Sequence, residues 1–219
     1  MSIRKVTPFN TATRTVFAPL GGKEPHRVKI AALMASTPTH DAALRSRTIV
    51  LVGMMGAGKT SVGKRLAETL DLPFFDADEE IERAAGRTIT EIFEQRGEAE
   101  FREGERRVIA RLLDQLPHVM ATGGGAFVSP QTRELVSRKA ISVWLKASPE
   151  VLARRVARKN TRPLLQGQDP RQVLEALLEK REAAYGQADV IIDSGDGPHQ
   201  ATVDAIIAAL KRRQLQGTD

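Results

Sequence analysis

The chain of 219 residues contains no cysteine. Disulfides and thiolate metal sites are therefore excluded, and a reducing compartment fits. Aromatic residues amount to only 4%, so the core has to be built from aliphatic side chains. No apolar run approaches the roughly 18 residues that a membrane helix needs. The first residues lack the apolar core of a signal peptide. Histidine is scarce too. His26, His40, His118 and His199 show no metal-ligand spacing and no partnered nucleophile, so all four read as structural or surface residues.

What is present is globular in composition, with 41% hydrophobic and 27% charged residues. A net charge of +6 suggests a nucleic-acid binder until the charge is located. Residues 1–47 hold eight Lys or Arg against two acids, and the remainder is balanced. A neutral body is poor support for a nucleic-acid surface, and no nucleic-acid or membrane partner is expected. Residues 1–46 mix Thr, Ser, Pro, Gly and basic side chains with little periodicity. They read as a basic, disordered N-terminal extension ahead of one domain over residues 47–219. A basic, acid-poor leader also fits a transit peptide, but the lack of an amphipathic helix favours disorder.

From Thr48 onward, strand patterns alternate with helix patterns. "TIVLVG" is a short β-branched run with no polar face, as in a buried parallel strand. "KTSVGKRLAETL" spaces Val62, Leu66 and Leu70 as a helix does. "PFFDAD" reads as a second strand ending in acids. "DEEIERAAG" and "TITEIFEQRG" read as two helices that Gly86 and Gly97 would cap. A long amphipathic helix follows, then "HVMATGGG" as a strand running into glycines. Two Ser-Pro helix starts flank the strand "ISVWL". "PRQVLEALLEKREAAY", the strand "DVIID" and a closing helix complete the pattern. The expectation is an α/β fold: a five-stranded parallel sheet with helices on both faces.

Gly53, Gly58, Lys59 and Thr60 fill the pattern G-x-x-x-x-G-K-[S/T], with a strand before and a helix after. Glycines let backbone N–H groups curl into a nest for phosphate oxygens, and the helix start presents its positive end to the same anion. Lys59 suits the β- and γ-phosphates of ATP, and the Thr60 hydroxyl suits Mg2+. No guanine-reading N-K-x-D motif is present, which argues against a GTPase switch. Asp76 and Asp78 are placed at the end of the second strand, beside the phosphate loop. One could steady a metal's water shell and the other accept a hydroxyl proton, or one could simply cap the next helix. "TGGGA" after the third strand supplies N–H donors and close approach. "RRVARKNTRPLL" could bring basic groups over phosphates, and the Arg162-Pro163 pair marks a loop with a defined path. Arg102 and Arg181 lie on helices rich in Glu, where spacing alone leaves substrate contact and surface ion pairing open.

Taken in order, "GMMGAGKTSVGKRLA", "FFDADEEIE" leading into "GRTITEIFEQRGEAEFREGE", "ATGGGA", "TRPLL" and "KREAAY" resemble the shikimate kinase family over about residues 48–212. The resemblance implies a P-loop, nucleoside monophosphate kinase-like fold with a mobile lid. It implies ATP-dependent phosphorylation of the 3-hydroxyl of shikimate, a step toward chorismate and the aromatic amino acids. By the same resemblance, Gly56, Ala57, Gly58, Lys59, Thr60 and Ser61 hold the nucleotide phosphates, and Thr60 and Asp76 serve Mg2+. Asp78 contacts the shikimate hydroxyls and is the candidate base. Arg102 and Arg181 clamp the shikimate carboxylate, with Gly124 and Gly125 beside the ring. Arg162 is the lid residue at the transferred phosphate, and Arg155 stacks on adenine. A cytoplasmic monomer is expected. The family usually lacks an extension as long as residues 1–46, and "SGDGPHQ" after the last strand offers no basic residue at the adenine edge beyond His199. A gluconate kinase, a nucleic-acid-associated ATPase anchored by the basic tail and a non-catalytic nucleotide module are the rival readings.

Overall fold

Five consecutive residues of β1 (Thr48–Val52) are buried, and so are the first six of β4 (Ala140–Lys146). A strand buried at successive positions is covered on both faces, which is how strands of a parallel sheet sit. The computed structural model describes residues 44–157 and 169–216. The sheet order is β2-β3-β1-β4-β5, with β2 at Phe74–Asp76, β3 at Val119–Ala121 and β5 at Val190–Asp193. All four pairings are parallel. The register aligns Leu51 with Ala121 and Ala121 with Asp76, so the exits of β1, β3 and β2 lie side by side. Ligands of open α/β sheets sit at such carboxyl ends.

Helices connect the strands: α1 (Lys59–Leu70), α2 (Ala77–Ala85), α3 (Ile89–Leu113), α4 (Pro130–Lys139), α5 (Pro149–Ala157), α6 (Pro170–Tyr185) and α7 (His199–Gln216). Their ends follow local chemistry. Thr88 and Glu91 form a capping box at the start of α3, with the Thr88 amide donating to Glu91 Oε2 (2.7 Å). Ser129 and Asp169 cap α4 and α6, each with Pro at the first helical position. Gly97 (φ 77, ψ 173) breaks α3, so its first turns and its long second half are two helices in all but continuity, as "TITEIFEQRG" had indicated.

The main core gathers aliphatic side chains from the sheet, α1, α5 and α7, and includes the buried Tyr185 of α6. A second, small cluster of Ile81, Ile92 and Phe101 lies between α2 and α3. Leu44, inside the span expected to be an extension, is 1% exposed and belongs to the main core. Residues 1–43 of that span lie outside the described residues. Among the described residues, no helix is long and apolar enough to cross a membrane.

One expectation needs correcting. β2 ends at Asp76, and Asp78 sits in the first turn of α2, not at a strand exit. The cause is Asp76 itself, whose Oδ1 accepts the Asp78 amide (3.1 Å) and starts the helix there.

Candidate active site

The turn from β1 to α1 curls around its own backbone. Gly53 has φ 132, and a Cβ there would stand 2.7 Å from the Leu145 carbonyl of β4, so only glycine fits. Gly56 and Gly58 also take positive φ. The Lys59 amine donates back to the Gly53 and Met54 carbonyls (2.9 Å each). The Thr60 hydroxyl reaches past β3 to the exit of β2 and donates to Asp76 Oδ2 (2.8 Å). Asp76 thus uses one carboxylate oxygen to cap α2 and the other to join the phosphate loop. The capping reading of this acid is realised, and its other oxygen faces the phosphate loop.

A cleft of about 620 Å³ opens over this loop. Gly56, Gly58, Lys59, Thr60, Ser61, Asp76, Asp78 and Gly124 all face it, as the sequence predicts. Ala57 is buried beneath, where its carbonyl accepts from Ser194 Oγ (2.8 Å). No group of three or more His, Asp or Glu side chains able to hold a metal occurs among the described residues. The oxygen pair of Thr60 and Asp76 suits a hard cation that keeps most of its ligands as water and phosphate oxygens, which is the habit of Mg2+.

The loop after β3 carries the second half of the site. Gly125 lies directly under Arg102: a Cβ there would be 2.5 Å from Nη2. Arg102 also bonds Glu105 (Nη1 to Oε2, 2.8 Å) and Glu98 (Nη2 to Oε1, 3.3 Å), and its guanidinium stands 5.1 Å from the Phe101 ring centroid. Arg181 approaches the same loop from α6 and donates to the Gly124 carbonyl (3.2 Å). Tyr185, one turn further along α6, donates to that carbonyl as well. Two arginines from distant helices therefore meet at Gly124–Gly125, beside the phosphate loop, with the position a Gly124 Cβ would take 3.4 Å from the Met55 amide nitrogen. Asp78 closes the third side, with Oδ1 at 2.6 Å from the position a Gly123 Cβ would take.

Several residues here escaped the sequence reading. Glu105 is buried against Arg102, and its Oε1 has no hydrogen-bond partner among the described residues. Burial pushes its carboxyl upward, Arg102 opposes this, and the nearby Asp78 charge adds to it. Its position three residues after Arg102 was a legible signal, as was Tyr185 four residues after Arg181, since both spacings share a helix face. His199, read as structural or surface, lines the cleft at the start of α7, with Cε1 3.6 Å from where a Gly58 Cβ would be. Burial lowers its pKa, and the charges of Arg65 and Arg155 lower it further. Arg154, the first residue of the basic segment "RRVARKNTRPLL", lines the cleft and pairs with Asp196.

Arg155 lines the cleft while its Nη1 contacts the Gly56 (3.3 Å), Ala57 (3.4 Å) and Ser194 (3.3 Å) carbonyls and its Nη2 the Gly195 carbonyl. It ties the phosphate loop to the turn after β5. Arg162 and the expected lid lie outside the described residues.

The family model described as "Shikimate kinase" matches residues 55–211. A shikimate kinase of Caulobacter vibrioides is 61% identical over 171 residues, spanning 78% of this chain and 86% of the relative. One from Bradyrhizobium diazoefficiens is 56% identical over 169 residues, 77% of this chain and 82% of the relative. Among solved structures, the shikimate kinase from Acinetobacter baumannii in complex with shikimate superposes with a TM-score of 0.74 at 38% identity, covering 82% of this chain and 99% of the other. With its phosphate loop, its paired arginines and this degree of identity, the chain belongs to the shikimate kinase family.

Proposed function

We propose that the protein transfers the γ-phosphoryl group of ATP to the 3-hydroxyl of shikimate. The observation that carries this reading is the meeting of Arg102 and Arg181 at Gly124–Gly125, where Gly124 lines the same cleft as Lys59 and Thr60. A guanidinium fork matches a carboxylate, and two of them at one end of a cleft suit a small ring acid. The phosphate loop suits a nucleoside triphosphate at the other end.

In this reading the backbone amides from Gly56 to Ser61 hold the β- and γ-phosphates and Lys59 leaves its two carbonyls to meet them. Arg102 and Arg181 fix the ring through its carboxylate. Asp78 orients the hydroxyl and accepts its proton as the oxygen attacks phosphorus in line. Thr60 and Asp76 would hold Mg2+, which neutralises charge on the phosphate oxygens when bound. Arg155 borders the nucleotide end of the cleft, the side expected to receive adenine. The part assigned to Arg162 at the transferred phosphate rests on sequence alone. The protein's contribution is positioning and charge stabilisation, which is what phosphoryl transfer requires.

The same reading makes the chain from Leu44 onward the kinase domain, since Leu44 belongs to its core, in a cytoplasmic monomer. The test is ADP release by the purified protein with shikimate, with quinate and gluconate as controls. Release that depends on shikimate and Mg2+ is expected. Equal turnover of gluconate, or turnover with no acceptor preference, would overturn the assignment.

A further inference from the structure

A second cleft, of about 430 Å³, opens between α2 and α3 and shares no lining residue with the first. Its floor is apolar and includes Ile81, Ile92 and Phe101, the small cluster that stands apart from the main core. Its rim is basic, with Arg87, Arg96 and Arg107 against one acid, Glu100. Arg96 is engaged by Glu100 (2.7 Å) and Arg107 by Glu103 (3.2 Å), whereas Arg87 donates to the neutral amide oxygen of Gln95.

Gly104 lines this cleft from the middle of the second half of α3, where a Cβ would meet nothing within 4 Å. Glycine is a poor helix former, and no described neighbour demands it here. What it provides is the space beside the helix. Phe101 lines the cleft, and the guanidinium of Arg102, the next residue, rests over its ring. The few buried side chains between α2 and α3 let these helices shift more readily than the main core.

We propose that this cleft is a binding site for a small amphipathic anion, an apolar ring bearing a carboxylate, and that its occupancy changes the hold of Arg102 on substrate. The ring lies against Ile81 and Phe101 in the space kept by Gly104, and the carboxylate faces Arg87 and Arg107. Apolar walls with a few placed charges, at this volume, are the usual make-up of a small-molecule site. Guanidinium groups are the preferred partners of carboxylates. Pressure on the Phe101 ring moves the surface on which Arg102 rests, so the two sites share a coupling that acts equally in both directions. The coupling rests on the function proposed above; the binding does not.

The probe is para-fluorobenzoate, titrated into the full chain and followed by fluorine NMR with shikimate and ADP at saturation, so that a ring acid is kept from the substrate site. Saturable binding in the millimolar range or tighter is expected. Gly104→Leu, whose side chain fills the cleft, abolishes it, and Arg107→Gln weakens it. Inorganic phosphate and neutral para-fluorobenzyl alcohol bind far less. Both variants keep the wild-type kcat, and Arg107→Gln decides the matter if the leucine disturbs folding. In the wild type the probe shifts the shikimate KM by at least about twofold to a plateau, with the ATP KM unchanged. No saturable binding, or binding that survives both substitutions, overturns the site. Binding as expected with an unmoved shikimate KM overturns the coupling. Absence of any turnover of shikimate by the wild type would refute the proposed function and leave the NMR result standing.

Discussion

Arg102 and Glu105 are paired one helical turn apart on α3, Nη1 to Oε2 at 2.8 Å, and Glu105 is only 3% exposed. The carboxylate holds the guanidinium over Gly125 and gives the buried charge a partner. Glu105→Gln keeps the shape and removes the charge. We predict a shikimate KM raised about tenfold, the worth of one hydrogen bond to a charged group, with the ATP KM unchanged. Steady-state kinetics on both substrates decide it, and an unchanged shikimate KM would show that Arg102 holds its place without this acid.

Arg102→Ala removes the fork itself. The expected shikimate KM rises about a hundredfold while nucleotide affinity stays near wild type, because Arg102 meets the loop after β3 and not the phosphate loop. Equal loss for shikimate and ATP would count against a carboxylate clamp.

Lys59→Ala should lower kcat by about a hundredfold or more, since a preorganised charge at the transferring phosphate is lost. The fold should persist, because the Lys59 amine donates to two carbonyls of its own turn, and that turn is also held by its glycines and by Arg155. Near-normal turnover would contradict the placement of the phosphates.

Asp78→Asn retains size and removes the acceptor of the hydroxyl proton. A kcat lower by about two to four powers of ten is expected with unchanged circular dichroism. Wild-type kcat would remove Asp78 as base and as orienter of the hydroxyl.

His118 predicts a pH dependence of stability. It is fully buried at the amino end of β3, edge-on to Phe75 (centroids 5.0 Å apart). Its Nδ1 lies 2.9 Å from the Leu116 carbonyl, which can only accept, so Nδ1 carries the proton. Nε2 has no partner among the described residues. Burial holds the folded pKa below the ordinary value of 6.5. Between the two values the unfolded chain binds more protons than the native one, so stability is complete above the unfolded pKa and is lost as pH falls toward the folded one. Thermal melts of the wild type should drop by a few degrees from about pH 7 to about pH 5.5, and those of His118→Gln should drop less. Parallel curves for the two proteins would exclude His118 as the source.

The residues from Thr48 to Val52 could be read as a buried strand because their apolar run has no polar face, and the run from Gly53 to Thr60 could be read as a phosphate loop because its glycines and its Lys-Thr pair act within one turn of chain. Ser129-Pro130 marked a helix start for the same reason: the hydrogen bonds that make a cap close within three residues. By contrast, the dual part played by Asp76 depends on Thr60 arriving from another strand exit, and a single sequence does not show which exits adjoin. The strand order β2-β3-β1, which leaves the exit of β2 within reach of the helix after β1, decided that.

The amino-acid sequence by itself determined the five-strand alternation, the nucleotide-binding turn and the family to which the chain belongs, since all of these are written in local spacing and motif order. Only the tertiary structure decided that Arg102 and Arg181 converge on one glycine pair, that Glu105 is buried beneath the first of them, and that His199 borders the phosphate loop. The first and last of those facts join elements far apart in the chain, and the burial of Glu105 depends on what packs over its helix; such meetings are set by how the helices pack on a shared sheet, which residue spacing does not record.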